Sequence, residues 1–427
     1  MKRRNFLATL GLISGSALTG KINNLKAWLR FENEISTATD EQKLWQVVRE
    51  QFLFPDDYAY LNTGGIGAQP LAVLNTVEQK TRQEQIHPRP GHDFEEWWDV
   101  KAKLASLLGS EVKKEELALI STATEGINIV LNGLGLRRGD EIITSTHEHA
   151  ALNVPLANMA QHDGIVIKTF EPDMKNGLGN VSRIEKLISP KTKLIFISHV
   201  TCTTGQLLPI AEIGELARAK KIWFAVDAAQ AVGNVNVNLN QFNVDFYTFS
   251  GHKWLLGPKR TGVLMVREKL LDTLRPTVTG AYSDDGFDLE KGTIKFHPTA
   301  QRYEYATQND ALFEGLGAAV DFLNTIGRKR ITDHNRKLAE KFYQGLNAIP
   351  GVKICSPEQE DFRTSILAFK VDGRDFRKVA SYLTDKKNLR VRVVPEGNVN
   401  GVRVSFHVYN NETEVDRLLN AINSMAG

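Results

Sequence analysis

Between about residues 117 and 266, seven short apolar runs alternate with helix-length segments, and few folds accept that pattern. The runs cover 117–120, 141–145, 165–170, 193–200, 222–226, 246–249 and 262–266. A strand with one face in water alternates apolar and polar residues, so near-continuous apolar runs imply burial on both faces. Strands of that kind separated by helices predict a mainly parallel sheet covered by helices, an α/β architecture. Around Asn309 and Asp310 the pattern changes: a predicted N-cap opens a long helix carrying Leu312, Leu316, Ala319, Val320 and Phe322. Beyond it, 365–371 and 401–406 read as strands among helices in a smaller α+β unit. A chain of 427 residues has room for both units. The expected division is a large domain over 61–310, a small C-terminal domain over 311–427, and a segment at 31–60 packing with the small domain. Within that segment, 40–54 reads as an amphipathic helix with Leu44, Val47, Val48 and Phe52 inward.

The first 30 residues have a different character. Arg3-Arg4-Asn-Phe6-Leu7 precedes an apolar run from about Ala8 to Leu18, which is shorter than the roughly 20 residues a membrane span needs. Positive residues ahead of such a run describe a twin-arginine export signal, giving a periplasmic or exported protein, with retention by an uncleaved signal as the alternative. A net charge of +3 gives no electrostatic case for nucleic acid. The two cysteines, Cys202 and Cys355, make neither a metal site nor a disulfide framework, and a single bridge stays open.

Chemistry-bearing residues gather where the apolar runs end. Ser121-Thr-Ala123-Thr124-Glu-Gly opens a helix with small and hydroxyl residues, which suits a phosphate at the positive end of the helix dipole. Thr146-His147-Glu148-His149 ends a run and offers an imidazole to lie over a planar ring; the His147/His149 spacing suits a metal less well, because no third ligand lies nearby. Asp227 closes the run at 222–226, followed by Gln230, and Ser250, His252 and Lys253 close the one after. In open α/β sheets ligands sit at the carboxyl ends of strands, so these ends imply one shared site. A lysine amine for a Schiff base, with an aspartate for a pyridinium nitrogen, is the arrangement used with pyridoxal 5'-phosphate.

These residues also resemble a family. Asp227-Ala-Ala-Gln230, Ser250-Gly-His-Lys253 and the stretch from Val402-Arg403-Val-Ser-Phe to Val415-Asp416 are similar to the class V aminotransferase group of fold-type I pyridoxal phosphate enzymes. That group includes cysteine desulfurases and isopenicillin N epimerase-like proteins. The resemblance implies a seven-stranded large domain, an internal aldimine on Lys253, and Asp227 paired with the pyridinium nitrogen. It further implies Gln230 at the ring hydroxyl, His149 stacked on the ring, and the Ala123 backbone with Thr124, Ser250 and His252 at the phosphate. Thr307 would reach the phosphate of a homodimer partner, and Arg403 would clamp the α-carboxylate of a small amino substrate. Cysteine desulfurases need a nucleophilic cysteine on the loop that here reads Val391-Arg-Val-Val-Pro-Glu-Gly-Asn-Val-Asn400. With no cysteine there, the pattern from His199 to Pro209 and Thr307-Gln-Asn point toward the epimerase-like branch. Epimerisation, elimination (including C–S cleavage) and transamination are the outcomes this machinery supports; a cofactor-binding sensor without turnover is the reading from another class.

Overall fold

A strand with apolar residues at every position has two faces to bury, and the computed structural model, which describes residues 15–426, buries both. A short strand β1 (Ala59–Tyr60) precedes the main sheet. The main sheet comprises β2 (Leu117–Ile120), β3 (Glu141–Ser145), β4 (Val166–Phe170), β5 (Thr192–Ser198), β6 (Trp223–Asp227), β7 (Phe246–Ser250) and β8 (Gly262–Val266). Each strand expected from the sequence is present, its ends shifted by at most two residues. Across the sheet the order is β2-β8-β7-β6-β5-β3-β4. Only β8 runs antiparallel to its neighbours, and the strands from β7 to β4 are mutually parallel.

Successive residues serve opposite faces. Ile195, Ile197, Phe224, Val226 and Phe249 pack on the side of helices Phe94–Leu108, Ile210–Lys220 and Asp310–Ile326. Leu194, Phe196, Ala225 and Phe246 pack on the side of helices Ala123–Gly133 and Ala150–His162. Each of the larger side chains among these contributes roughly 1.5–3 kcal/mol of hydrophobic stabilisation, which holds the strand ends in a fixed frame.

The expected helix at 40–54 is shorter, Glu41–Arg49, with Asp40 accepting from the Gln42 N–H at 2.9 Å. It stops because Gln51 and Phe52 bond back to Val48 and Arg49, tightening the chain into i→i−3 turns ahead of Pro55. Leu44, Val47, Val48 and Phe52 are all buried, and Trp45 stacks on His334 at 3.7 Å. Helix Asp310–Ile326 starts at Asn309, whose side chain accepts from the Leu312 N–H, and packs on helices Leu71–Ile86 and Phe94–Leu108.

The remaining strands are a hairpin, β9 (Asp284–Asp288) with β10 (Thr293–Phe296), followed by β11 (Val352–Ile354), β12 (Ile366–Val371), β13 (Leu389–Arg390), β14 (Arg392–Val394) and β15 (Gly401–Ser405). A four-stranded antiparallel sheet has the order β11-β12-β15-β14, while β13 pairs in parallel with β1. The Ser405 N–H donates to the Leu61 carbonyl at 2.9 Å, tying the glycine-rich loop after β1 to the strand that carries Arg403. The twin-arginine motif at Arg3 and Arg4, with Phe6 and Leu7, lies outside the described residues. Among the described residues no helix is long and apolar enough to cross a membrane.

Candidate active site

The parallel strands end on one edge of the sheet, and the chain after each end turns there into small or polar residues. Asp227, the last residue of β6, has Ser198 of β5 and Thr248 of β7 as its cross-strand partners. Its Oδ1 accepts from the Ala229 N–H at 2.9 Å, so the carboxylate is aimed by its own turn. It is 4% exposed. Burial raises its pKa, and the nearby Lys253 charge pulls it back. The same burial lowers the Lys253 amine, while Asp227 favours its charged form and Arg403 opposes it. An amine desolvated in this way gives up its proton more readily than a surface lysine, which is what nucleophile and base chemistry require.

Lys253 follows Ser250-Gly-His252 at the end of β7. The Ser250 hydroxyl accepts from the Ala123 N–H at 3.0 Å, bringing the lysine turn against the first turn of helix Ala123–Gly133. Thr122 caps that helix and Thr124 stands exposed on it. His252 is half-buried, and burial lowers its imidazole to about 4. Its Nδ1 is buried without a partner. Gly67 closes over this turn: its N–H donates to the His252 carbonyl at 2.8 Å, and a Cβ there would stand 2.0 Å from the Lys253 carbonyl oxygen.

Arg403 enters from the other sheet. It is 1% exposed, with Nη1 donating to the Cys202 carbonyl at 2.6 Å and Nη2 to Asn62 Oδ1 at 3.0 Å. Its Nε has no partner, and no carboxylate pairs with it among the described residues. Burial, with Arg392 adding its repulsion, lowers it to about 9. A guanidinium oriented by two neutral acceptors and lacking an anion is suited to a carboxylate ligand. Gly64 lies beside it, where a Cβ would meet Gln230 Oε1 at 3.0 Å and Arg403 Nη2 at 3.1 Å.

His149 caps helix Ala150–His162, its Nδ1 accepting from the Ala151 N–H at 3.1 Å. That bond fixes the ring at the site's edge. Burial and then the Lys253 charge lower it to about 4, so it presents a neutral imidazole. His147 faces elsewhere, between Thr203 Oγ1 at 2.9 Å and Glu171 at 3.0 Å. Gln230 spans two groups, accepting from the Trp254 indole and donating to the Gly64 carbonyl, both at 2.8 Å. Thr307 is exposed, on the loop after Tyr305, whose hydroxyl donates to Glu125 in helix Ala123–Gly133. Tyr282 packs on Gly91 and His92.

The donor set fits pyridoxal phosphate. A helix N-terminus with Ser250 and the unpartnered His252 nitrogen suits a phosphate, Asp227 a pyridinium nitrogen, His149 the ring face, and the lowered amine of Lys253 a carbonyl. The family model for aminotransferase class V matches residues 60–418. This chain belongs to the class V aminotransferase family. Members that resemble it include a cysteine desulfurase of Serratia proteamaculans, 31% identical over 379 residues, covering 84% of this chain and 91% of the relative. An isopenicillin N epimerase of Amycolatopsis lactamdurans is 29% identical over 404 residues, covering 90% and 98%. Identity therefore does not separate the two branches. Among solved structures, C-DES with glycine covalently linked to its PLP cofactor matches with TM-score 0.80 and 25% identity over 88% of this chain and 98% of that one. The same C-DES is described as a cystine C–S lyase in a complex with cysteine persulfide, TM-score 0.78, 25% identical, covering 86% and 98%. The chain is a pyridoxal-phosphate-dependent enzyme of this family.

Other site features were not read from sequence. Glu148, inside the quoted Thr146–His149 stretch, is fully buried and accepts from Ser145 Oγ at 2.6 Å, from the Ser198 N–H at 3.1 Å and from the Ser198 hydroxyl. Burial raises it to about 7, with the Asp227 charge adding to the effect. Asn62 follows β1, 341 residues from the arginine it orients, and no local signal marks it. Cys202 and Cys355 are both free; burial raises the Cys202 thiol to about 11, the opposite of what a nucleophile needs.

Proposed function

We propose that this enzyme is a lyase that removes a group from the β-carbon of an amino acid, C–S cleavage included, with epimerisation at the α-carbon as the second reading. The observation that carries it is the pairing of a lowered amine, Lys253, with an anion-free arginine, Arg403, in a site whose 391–400 segment holds no thiol. Arg403 binds the α-carboxylate and so sets the direction of the α-carbon. When bound, pyridoxal phosphate supplies an electron sink for bond breaking at that carbon. With the cofactor bound, Lys253 would take the α-proton, Asp227 would hold a proton at the ring nitrogen, and the neutral His149 imidazole would face the ring without adding charge. The β-substituent then departs with its bonding electrons and is protonated, with no enzyme cysteine to receive it. The desulfurase relatives and the C–S lyase neighbour support this outcome; the epimerase relative, matched over 98% of its length, supports the second. We also read the enzyme as a homodimer in which exposed Thr307 reaches the partner's phosphate.

The test is product analysis with holoprotein and the L-amino acids cysteine, cystine and β-chloroalanine. Release of a keto acid and ammonia in step with the leaving group is the expected result. Loss of optical activity without keto acid would establish the epimerase reading and defeat the lyase.

A further inference from the structure

His407 is wholly buried, yet its imidazole serves a backbone carbonyl. Its Nε2 lies 2.9 Å from the Trp254 carbonyl and its Nδ1 lies 3.1 Å from Asn335 Nδ2. A carbonyl only accepts, so Nε2 carries the hydrogen and Nδ1 accepts from the Asn335 amide. Burial lowers the imidazole to about 3, which keeps it neutral. Trp254 follows Lys253 directly, so this bond holds the backbone of the lysine turn.

The contact is one side of a closed ring. The Trp254 indole N–H donates to Gln230 Oε1, and Gln230 Nε2 donates to the Gly64 carbonyl, both at 2.8 Å. The Gly64 N–H in turn donates to the Ser405 hydroxyl at 3.0 Å, two residues before His407. Every member of the ring is buried. An indole N–H only donates and a carbonyl only accepts, so one orientation of the Gln230 amide satisfies both. One hydrogen on its nitrogen is left without an acceptor among the described residues. Packing alone needs none of these polar groups, because apolar side chains of the same shape would fill the space at little cost. The ring instead joins the strand of Arg403 to the lysine turn and to the turn after Asp227, and it ends on that one free donor.

Pyridoxal phosphate carries its ring oxygen and its phosphate arm on the two carbons that flank the one facing the lysine. The Ala123 helix start and Ser250 suit the phosphate, which directs the oxygen to the other flank. Gln230 comes three residues after Asp227 and adjoins Arg403 across Gly64, where a Cβ would meet Gln230 Oε1 at 3.0 Å and Arg403 Nη2 at 3.1 Å. We infer that Trp254 and His407 are positioning residues, which fix the Gln230 amide with its nitrogen toward the ring oxygen of the cofactor. A flipped amide would set Oε1 against that oxygen, acceptor against acceptor. The inference rests on pyridoxal phosphate binding between Asp227 and Lys253, and not on the lyase reading. A donor on the ring oxygen makes it a weaker acceptor for the proton on Lys253 Nζ, so that nitrogen releases its proton at lower pH.

The visible band of the holoprotein, titrated without substrate, reads that proton directly. Gln230→Leu is expected to raise the midpoint by about one pH unit, roughly tenfold in proton affinity. Trp254→Phe keeps an aromatic ring without the N–H; it should raise the midpoint too, and add nothing in the Gln230→Leu background. His407→Leu should act in the same direction, while His407→Gln, which can still donate to the Trp254 carbonyl, should restore the parent value. Asp227, Cys202, Arg403 and Arg392 act on Lys253, with His149 and His252 beside it, and the variants alter none of these. An unchanged midpoint in Gln230→Leu, or in a Trp254→Phe protein that retains its cofactor, overturns the inference. So does a Trp254→Phe shift that persists in full in the Gln230→Leu background, since the indole would then act through packing. Where Trp254→Phe does not fold, equal midpoints in His407→Leu and His407→Gln overturn it. None of these readings needs turnover, so the lyase proposal stands or falls separately on its products.

Discussion

A carboxyl buried without a cation must keep its proton or bear the cost of its charge, and Glu148 is such a group. Its folded pKa is about 7 against 4.5 for the free side chain. The folded state therefore holds an extra proton between those values. The stability this contributes is fully present below 4.5 and lost as pH rises through about 7. A shift of that size corresponds to about 3 kcal/mol. Glu148→Gln imitates the protonated acid, so it should match the parent within about 1 kcal/mol near pH 5 and exceed it by up to about 3 kcal/mol near pH 8.5. Urea unfolding of the holoprotein at both pH values measures this. A variant less stable than the parent at both would mean that Ser145 and Ser198 hold a charged carboxylate. Single residues were legible in the sequence where their chemistry is local. Asp227 ends its own strand, Lys253 stands in the turn just after the next one, and Arg403 lies in a recognisable stretch. Glu148 was not legible, because what makes it unusual is Ser198, fifty residues on.

The strands of the main sheet were legible to within two residues because each apolar run is bounded by glycine, proline or polar residues that cannot continue it, whereas the helix read at 40–54 stops at Arg49. Strand order was not. The reversal of β8 follows from the tight return after Lys253, where the Gly251 N–H donates to the Thr261 carbonyl at 2.8 Å, and that closure depends on atoms rather than on periodicity. Nor did the pattern announce β1 against β13, some 330 residues apart, or Arg392 opposite Arg403. The loop after β1 is the element these long-range pairings serve, since it brings Gly67 onto the lysine turn. Gly67→Ala would drive a methyl group into the Lys253 backbone, which must move, at a cost of roughly 1–3 kcal/mol. Its effect should fall on cofactor retention: the variant should lose its visible band on gel filtration, while Gly280→Ala, with nothing within 4 Å of the added carbon, keeps it. Equal retention in both would show that the loop does not shape the lysine turn.

At the scale of the whole molecule, the β9–β10 hairpin is the part that one chain leaves unfinished. A two-stranded hairpin is marginal in water without a surface to pack on. This one carries Phe287 at 72% exposure and Leu289 at 86%, with Ile294 also exposed. It leads from Ala281, whose carbonyl accepts from the Ala306 N–H at 2.9 Å, so the base of the hairpin is tied to the loop that carries the exposed Thr307. If a second copy covers the hairpin, the same contact carries Thr307 toward the partner's helix Ala123–Gly133. Two effects should then go together. Phe287→Asp with Leu289→Asp should shift the sedimenting species from dimer to monomer, and the monomer should hold pyridoxal phosphate more weakly, because each site has lost a phosphate ligand. Thr307→Ala alone should weaken the cofactor without breaking the dimer. Titration of apoprotein with pyridoxal phosphate, alongside sedimentation at matched concentration, separates the two. A native protein that sediments as a monomer while fully loaded with cofactor would remove the partner from the site.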